Sequence, residues 1–442
     1  MTLAASFIDL RINTAEQFKE SISENANNKL FLAFGRTLPW SNESSPPASN
    51  TSVGMVNEIW DNMIGGKRIF GNDLAHVIPR VDWTANTNYT AYDHLAANLY
   101  DDNVKFYVVT SDWNVYKCIA NNYGGLSSIE PTSLNPTTVS HLSDGYAWKY
   151  MYTVSDSEKL RFTTPSFIPV KTLTGDDASL QWQVQSNAKA GSIESILIQN
   201  SGNNYTNASN IIISISGDGM FAEATASINS ISNTVNAISI SNPGTGYSYA
   251  TVSISDNGTG LGATARAIIS PQGGHGSDPL YELGGKNIIL NPRIRYDENG
   301  TLPISNDYRQ IALLKDPHAR GTDEAFANTT FLQAMRITTS GSGDYSLDEY
   351  VYQGPGLSTA SFKGVVVNWD EANGIAMLIN TEGTPTAAQT LIGTQSFTVR
   401  SISSITEADL EQNTGRILYV DNFTPITRSF DQIEDYKIIF RF

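Results

Sequence analysis

Histidines and adjacent carboxylates are the side chains of this chain best suited to acid–base chemistry. The five histidines are scattered, and no two have the spacing of a helical or hairpin metal site. The most loop-like of them, His275, is interpreted as part of a turn that re-enters the main fold. Adjacent carboxylates include the pairs at 101–102, 348–349 and 370–371. Neighbours on a strand point to opposite faces, and pairs in turns are normally solvated. Because a glycosidase needs two carboxylates across one cleft, these pairs do not predict a catalytic site.

Two loops could in principle bind a ligand or an ion. The glycine-rich string Gly258–Ala263 imitates a dinucleotide fingerprint, but small-residue strands rather than a helix follow it. The loop Ser340–Glu349 could hold calcium through Asp344, Asp348 and Glu349, but it lacks the regular spacing of an EF-hand, which favours a flexible turn. We therefore predict no cofactor, no metal and no catalytic residue.

Composition and charge exclude several classes of function. The formal net charge of −16 argues against a nucleic-acid partner, which would need a basic patch. No run of 18 apolar residues occurs, so we expect no membrane insertion. The single cysteine, Cys118, lies in an alternating apolar run and is interpreted as a buried thiol. The length of 442 residues predicts two or three domains.

Two short segments with the same residue types are interpreted as rigid corners. In Phe34–Ser41 a buried-looking strand runs into a glycine, an arginine and a Pro-Trp bend. Val77–Trp83 again places proline, arginine and tryptophan close together, and Asp82 is the expected partner of Arg80. The residues predicted to carry such structural roles are Phe34, Gly35, Arg36, Pro39, Trp40, Trp60, Pro79, Arg80, Asp82, Trp83, Gly145, Tyr146, Trp148, Phe440 and Phe442.

The elements that must position these residues are mostly strands. Thr14–Gln17 fits a capping box and predicts the start of a first helix. Apolar residues at helical spacing predict a second helix over 53–63, which Gly65 and Gly66 would stop. Alternating and aromatic-rich runs predict strands from about residue 67 onward.

Two stretches are interpreted as small β modules inserted into a scaffold. Residues 191–270 contain a two-copy repeat in which Tyr205 and Tyr247 are equivalent. Residues 340–402 contain four short strands separated by turns, which is typical of a small barrel. The predicted fold class is mainly β: a β-sandwich scaffold with a few helices in loops, plus the two modules. The predicted organisation is scaffold at 1–190, repeat at 191–270, scaffold at 271–339, barrel-like module at 340–402 and scaffold strands at 403–442.

The corner motifs, taken in order, resemble the baseplate wedge protein family of contractile-tailed bacteriophages. The matching residues include Phe34–Arg36 with Pro39–Ser41, Ile59–Trp60, Val77–Arg80 with Asp82–Trp83, Tyr116–Cys118, Gly145–Tyr146 with Trp148 and Tyr150, Arg309–Ile311, and Ile439–Phe440 with Phe442. The resemblance covers about residues 5–185, 285–335 and 405 to the last residue. The two β modules have no counterpart in it.

The resemblance implies a β-sandwich subunit that is not an enzyme. Its implied partners are a second copy of itself, in a homodimer, and other baseplate wedge proteins. Its implied location is the tail baseplate of the virion, after synthesis in the host cytoplasm. Two alternatives stay open: a tail adhesin that binds host glycan through the 191–270 repeat, and a polysaccharide-degrading enzyme. The adhesin requires exposed rings of Tyr205 and Tyr247, whereas the competing interpretation is that both tyrosines cap the core of the repeat.

Overall fold

The computed structural model describes residues 7–24, 28–50, 52–295, 298, 302–303, 307–425 and 431–442. The chain divides into two compact units, which are described separately. One comprises Met1–Glu16, Ala75–Ile289 and Ile439–Phe442, and the other comprises Gln17–Leu74 and Leu290–Ile438. The α-helices of the described residues are α1 (Ile8–Ser23), α2 (Val53–Asn62), α3 (Asp156–Phe162), α4 (Leu180–Ser186) and α5 (Pro279–Glu282).

Strands dominate both units, which confirms the predicted mainly-β fold class with few helices. The first fourteen strands are β1 (Leu30–Gly35), β2 (Met63–Ile69), β3 (Leu74–Pro79), β4 (Tyr107–Val109), β5 (Asn114–Asn121), β6 (Ser140–His141), β7 (Tyr146–Thr153), β8 (Phe167–Val170), β9 (Ile193–Asn203), β10 (Ile211–Gly217), β11 (Met220–Asn229), β12 (Thr234–Thr245), β13 (Ala250–Asp256) and β14 (Leu261–Ile269). The others are β15 (Asn287–Leu290), β16 (Arg293–Arg295), β17 (Gln310–Lys315), β18 (Thr330–Leu332), β19 (Met335–Ser340), β20 (Tyr350–Gln353), β21 (Phe362–Asp370), β22 (Ile375–Gly383), β23 (Thr390–Gly393), β24 (Val399–Thr406), β25 (Arg416–Asn422), β26 (Ile433–Asp435) and β27 (Ile438–Arg441).

The unit that contains 17–74 and 290–438 is built on a five-stranded antiparallel sheet. Its strand order is β18-β2-β1-β17-β25, with Phe34 opposite Ile311 in the central pair. All six residues of β1 are buried, so this strand reads as a continuous apolar run rather than an alternating one. The same unit contains a closed six-stranded barrel with order β19-β22-β21-β20-β23-β24, whose strands run from residue 335 to residue 406.

The unit that contains 75–289 holds two four-stranded sheets besides the repeat. Their orders are β4-β5-β7-β6 and β27-β15-β3-β8. The last strand, β27, joins the second of these sheets. An aromatic cluster under β5 and β7 supplies much of the core between them and the flanking loops.

The two copies of the repeat fold alike. The first copy's Tyr205 is 1% exposed, and its hydroxyl accepts a hydrogen bond from the Ala263 N–H at 3.3 Å. The equivalent Tyr247 is 5% exposed and accepts from the Ala222 N–H at 3.4 Å. A Cβ atom at Gly260 would collide with the Tyr205 ring, and one at Gly219 with the Tyr247 ring. Each tyrosine therefore fills a space that a glycine of the other copy leaves open. The boundaries 191–270 and 340–402 as inserted modules stay predictions.

Two local predictions about helices are wrong. The first helix begins at Ile8, so Thr14 lies in its interior, where its hydroxyl donates to the Leu10 carbonyl instead of capping the helix. The second helix is confirmed as α2, but Gly65 and Gly66 do not cap it. They lie in β2, where a Cβ on Gly66 would stand 2.5 Å from the Phe331 ring.

Candidate functional site

The first corner is built by a strand end that only glycine can occupy. A Cβ atom on Gly35 would lie 2.2 Å from the Asn62 carbonyl oxygen, so the close approach of β1 to the end of α2 requires glycine there. The next residue, Arg36, has φ +62°, and its N–H donates to the same carbonyl at 2.9 Å. The backbone turns away from the sheet at this point, and Arg36 forms the turn in a left-handed backbone conformation that is uncommon for a bulky residue.

The side chains of this corner stack and pair rather than form a site for catalysis. The Arg36 guanidinium lies 3.8 Å from the centre of the Trp40 ring and is ion-paired with Glu58. Trp40 is 7% exposed, and its indole N–H donates to the Phe423 carbonyl at 3.1 Å. The ring therefore stacks on a cation and is held by a hydrogen bond to the backbone, which suits a packing residue.

A second arginine ties the corner to a distant segment of the same unit. Arg309 is 7% exposed and donates from Nε to both carboxylate oxygens of Glu43, at 2.9 and 3.2 Å. It also donates to the Thr37 carbonyl, and its own N–H bonds to the backbone of Gly35 and Arg36. The sequence flagged Arg309 only through the family resemblance. Its contacts span more than 260 residues, so no local pattern could have predicted them.

The second predicted corner contains the expected pair. Arg80 Nε donates to the two oxygens of Asp82 at 2.9 and 3.0 Å. The Arg80 guanidinium also lies 4.9 Å from the ring centre of Trp113. Trp83 donates from its indole N–H to the Ser127 hydroxyl at 3.1 Å. The carbonyl of Pro79 accepts a hydrogen bond from the Tyr107 hydroxyl at 2.7 Å, which fixes the strand that leads into the corner.

Most of the remaining predicted residues lie in buried cores or at strand ends. Tyr146 and Trp148 are fully buried and stacked, with ring centres 5.6 Å apart, and Gly145 has φ +84° just before them. In the other unit, Phe34 packs on Tyr308 at 4.8 Å and Trp60 is 3% exposed. The others are Pro39, which is exposed, Phe440, which lies in β27, and Phe442, whose carbonyl accepts from Arg11 Nε at 2.5 Å.

The sequence analysis did not predict a buried cluster of charged side chains that the structure contains. Lys117 on β5 is fully buried, and its ammonium lies 2.7 Å from Glu282 on α5, which is 4% exposed. The ammonium also lies 4.2 Å from the centre of the Tyr92 ring. The other oxygen of Glu282 accepts from the N–H groups of Gly276 and Asp278, at 2.7 and 3.2 Å. Burial lowers the pKa of Lys117, and Glu282 opposes that shift.

His275 belongs to the same cluster and is not an exposed loop residue. It is 2% exposed, and its ring meets the Tyr92 ring edge-on at 4.8 Å. Its Nδ1 lies 4.0 Å from Glu282. Burial holds the pKa of His275 well below its usual range, and the nearby ammonium groups of Lys117 and Lys149 add to that shift. The folded protein therefore keeps this imidazole neutral in mild acid.

Replacing His275 with glutamine is expected to reduce the acid sensitivity of folding. The unfolded chain binds a proton at His275 below about pH 6.5 while the folded chain does not, so stability falls as pH drops from that value. The contribution reaches about 1.4 kcal/mol per pH unit. Urea unfolding of the wild type and of His275→Gln, compared between about pH 7 and pH 5, measures it. Equal slopes in the two proteins would contradict the prediction.

The residues suggested for calcium, Asp344, Asp348 and Glu349, do not form a metal site in the described structure. No group of three or more His, Cys, Asp or Glu side chains in the described part of the chain could hold a metal. Glu349 was expected in a solvated turn, but it is fully buried. It accepts hydrogen bonds from the backbone of Ser346, Gln395 and Ser396, so it fastens two loops of the barrel together.

Cys118 is fully buried, as predicted, and burial raises the pKa of its thiol well above the usual value. None of the helices that the structure describes is long and apolar enough to cross a membrane. The burial of Tyr205 and Tyr247 corrects the idea that these rings are exposed for glycan binding. Both rings instead close the core of the repeat.

Comparison with known proteins finds that the part of the chain containing both corners is similar to a known family. Residues 4–123 match the family model described as Bacteriophage T4, Gp8. The baseplate wedge protein gp8 of Enterobacteria phage T4 is 25% identical over 198 residues, which cover 35% of this chain and 59% of that protein. The resemblance to the baseplate wedge family is confirmed.

The matched region includes Phe34–Ser41 and Val77–Trp83, whereas the resembling residues at 145–150, 309–311 and 439–442 lie outside it. It ends before the repeat and the barrel. The chain spans less than two thirds of the length of the T4 baseplate wedge protein that it matches.

Proposed function

We propose that this chain is a structural, non-catalytic subunit of a phage tail baseplate wedge. The observation that carries the proposal is the match of residues 4–123 to the Gp8 family, because both corners fall within it. Stacked and paired side chains hold these corners, which supports a structural role for them. The proposed partners are other baseplate wedge proteins and a second copy of this chain. The proposed location is the tail baseplate of the virion, after synthesis in the host cytoplasm.

The position of the chain in a particle tests this function. Purified tails analysed by mass spectrometry and cryo-electron microscopy are expected to contain the chain at the baseplate, in a fixed ratio to the neighbouring wedge subunits. Tails that lack the chain would overturn the assignment. Incubation of the purified protein with host envelope polysaccharide is expected to release no reducing sugar, and such release would identify an enzyme instead.

The homodimer has a separate test. A dimer of identical chains is expected to be symmetric, with one self-complementary patch on each copy. Light scattering or native mass spectrometry at micromolar concentration is expected to give twice the chain mass of 48.1 kDa. A monomer under these conditions would remove the dimer from the proposal and leave the baseplate assignment standing.

A further inference from the structure

The unit that contains 75–289 has a cleft large enough for a small ligand. Its volume is 590 Å³, within the range of about 300–1,000 Å³ that ligand sites occupy. Residues from β5, β6, β9 and β12 line it. Apolar surface comes from isoleucines such as Ile238 and Ile240, and hydrogen-bonding groups come from Asn121, Asn236 and Glu194. A mixed lining of this kind suits a ligand that has both an apolar face and polar groups.

Tyr123 lines this cleft from a strained backbone position. Its φ is +53°, and that of Asn122 before it is +49°. Left-handed backbone is uncommon for a bulky residue and persists only where neighbouring contacts enforce it. Here Asn121 accepts from the Gly124 N–H at 3.3 Å, and Asn122 donates from its amide to the Asp144 carbonyl at 3.1 Å. The turn is pinned on both sides of the tyrosine.

Burial of the Tyr123 ring contributes little free energy to offset this backbone strain. It is 54% exposed although it lines the cleft, so its burial does not offset the unfavourable backbone. An aromatic ring that is half-exposed and held in a strained backbone conformation is typical of a preorganised contact for a ligand. This combination separates Tyr123 from Tyr146, which lines the same cleft but is fully buried.

Glu194 adds a largely buried carboxyl group to the lining of the same cleft. Its Oε1 accepts from the Ser192 hydroxyl at 3.4 Å. Its Oε2 is buried and has no hydrogen-bond partner among the described residues. That oxygen has almost no exposed surface, and the ammonium groups of Lys149 and Lys117 favour the charged form of the carboxyl. Burial raises the pKa of this carboxyl, and that direction agrees with its enclosed position.

The charge of the lining restricts the ligand further. No lysine or arginine is among the described residues that line the cleft, and its two carboxylates are those of Glu194 and Asp93. Asp93 is already engaged by Arg266, at 2.9 and 2.6 Å. An anionic ligand would therefore find no lysine or arginine side chain in the described lining with which to pair.

From these observations we propose that the cleft binds a neutral saccharide. The apolar C–H face of a sugar ring packs on Tyr123 and on the isoleucines, and its hydroxyl groups form hydrogen bonds with the asparagine side chains of the lining. This binding activity goes beyond the scaffold function and uses other residues than the buried tyrosines of the repeat. It does not depend on assembly into a baseplate, so the isolated chain is sufficient for the test.

Saturation-transfer NMR and calorimetry test the proposal with three probes: maltotriose, triacetylchitotriose and trigalacturonic acid. At least one of the two neutral trisaccharides is expected to bind at low millimolar concentration or better, and trigalacturonic acid is not. Failure of both neutral probes would overturn the proposal. Equal binding of the acidic probe would overturn the inference that the ligand is neutral.

Tyr123→Gly separates a ligand contact from a structural role. Glycine adopts the same positive φ without strain, so the variant is expected to keep or raise the midpoint of thermal unfolding. Loss of the ring is expected to weaken saccharide binding about tenfold or more. The matched control is Tyr249→Ala, which removes another exposed tyrosine, outside the cleft, and should leave binding unchanged. Wild-type binding by Tyr123→Gly would overturn the assignment.

Discussion

Replacing Glu282 with alanine is expected to lower the free energy of unfolding by about 3–5 kcal/mol, because the change leaves the Lys117 ammonium buried without its counter-charge. Lys117 is fully buried and Glu282 is 4% exposed, so water cannot take over the lost contact. The change also deprives the N–H groups of Gly276 and Asp278 of their acceptor. Urea unfolding followed by circular dichroism measures the loss.

Two further variants show whether burial of the pair is the cause. Asp156→Ala breaks the ion pair with Lys159, whose distance of 2.9 Å is close to the 2.7 Å between Lys117 and Glu282. Asp156 is almost fully exposed, so this variant should cost less than about 1 kcal/mol. The double variant Lys117→Met/Glu282→Gln removes both charges but keeps an acceptor for the backbone. It should recover much of the loss. A Glu282→Ala variant as stable as Asp156→Ala would refute the prediction.

The features of the site that the sequence predicted are those whose partners are close along the chain. Arg36 and Trp40 are four residues apart, and Arg80 and Asp82 are two apart, so one turn of backbone brings each pair together. The buried thiol of Cys118 follows from the alternating apolar run around it. Strand β1 and helix α2 could also be predicted from the sequence, because their apolar patterns are strong and local.

The features that the sequence did not predict depend on partners far along the chain. Lys117 and Glu282 are 165 residues apart, and their pairing follows from the way β5 and α5 meet in one unit. Nothing in the run around Lys117 distinguishes a buried lysine from a solvated one on an alternating strand. The burial of Glu349 could not be predicted for the same reason, because its partners at 395 and 396 come from another hairpin of the barrel.

The error at the first helix has a different origin. Thr14 has a favourable capping sequence, but the apolar residue Ile12, which is fully buried, already belongs to the helix that begins at Ile8. Tertiary burial of the earlier turn therefore decided where the helix begins, and the capping preference, which contributes only about 1 kcal/mol, did not. Gly65 and Gly66 show the same principle, since the approach of Phe331 rather than a helix end requires glycine there.

The first corner leads to the other large expected effect. Replacing Trp40 with alanine is expected to lower the free energy of unfolding by about 3–5 kcal/mol through a cavity in the core. The indole is 7% exposed, so nearly the whole ring volume is lost from packed surroundings. The Arg36 guanidinium loses the ring on which it lies, and the Phe423 carbonyl loses its donor. Chemical denaturation of the purified variant measures the change.

Trp369→Ala is the matched control, because Trp369 has the same kinds of contact in the same unit but is only half-buried. Its indole N–H donates to Asp344 at 3.0 Å, and the Arg400 guanidinium lies 4.9 Å from its ring centre. If burial in the corner rather than the stacking and the hydrogen bond determines the loss, Trp369→Ala must cost clearly less than Trp40→Ala. Equal losses would assign the effect to these contacts. A Trp40→Ala protein as stable as the wild type would show that the corner is not a structural joint of this fold.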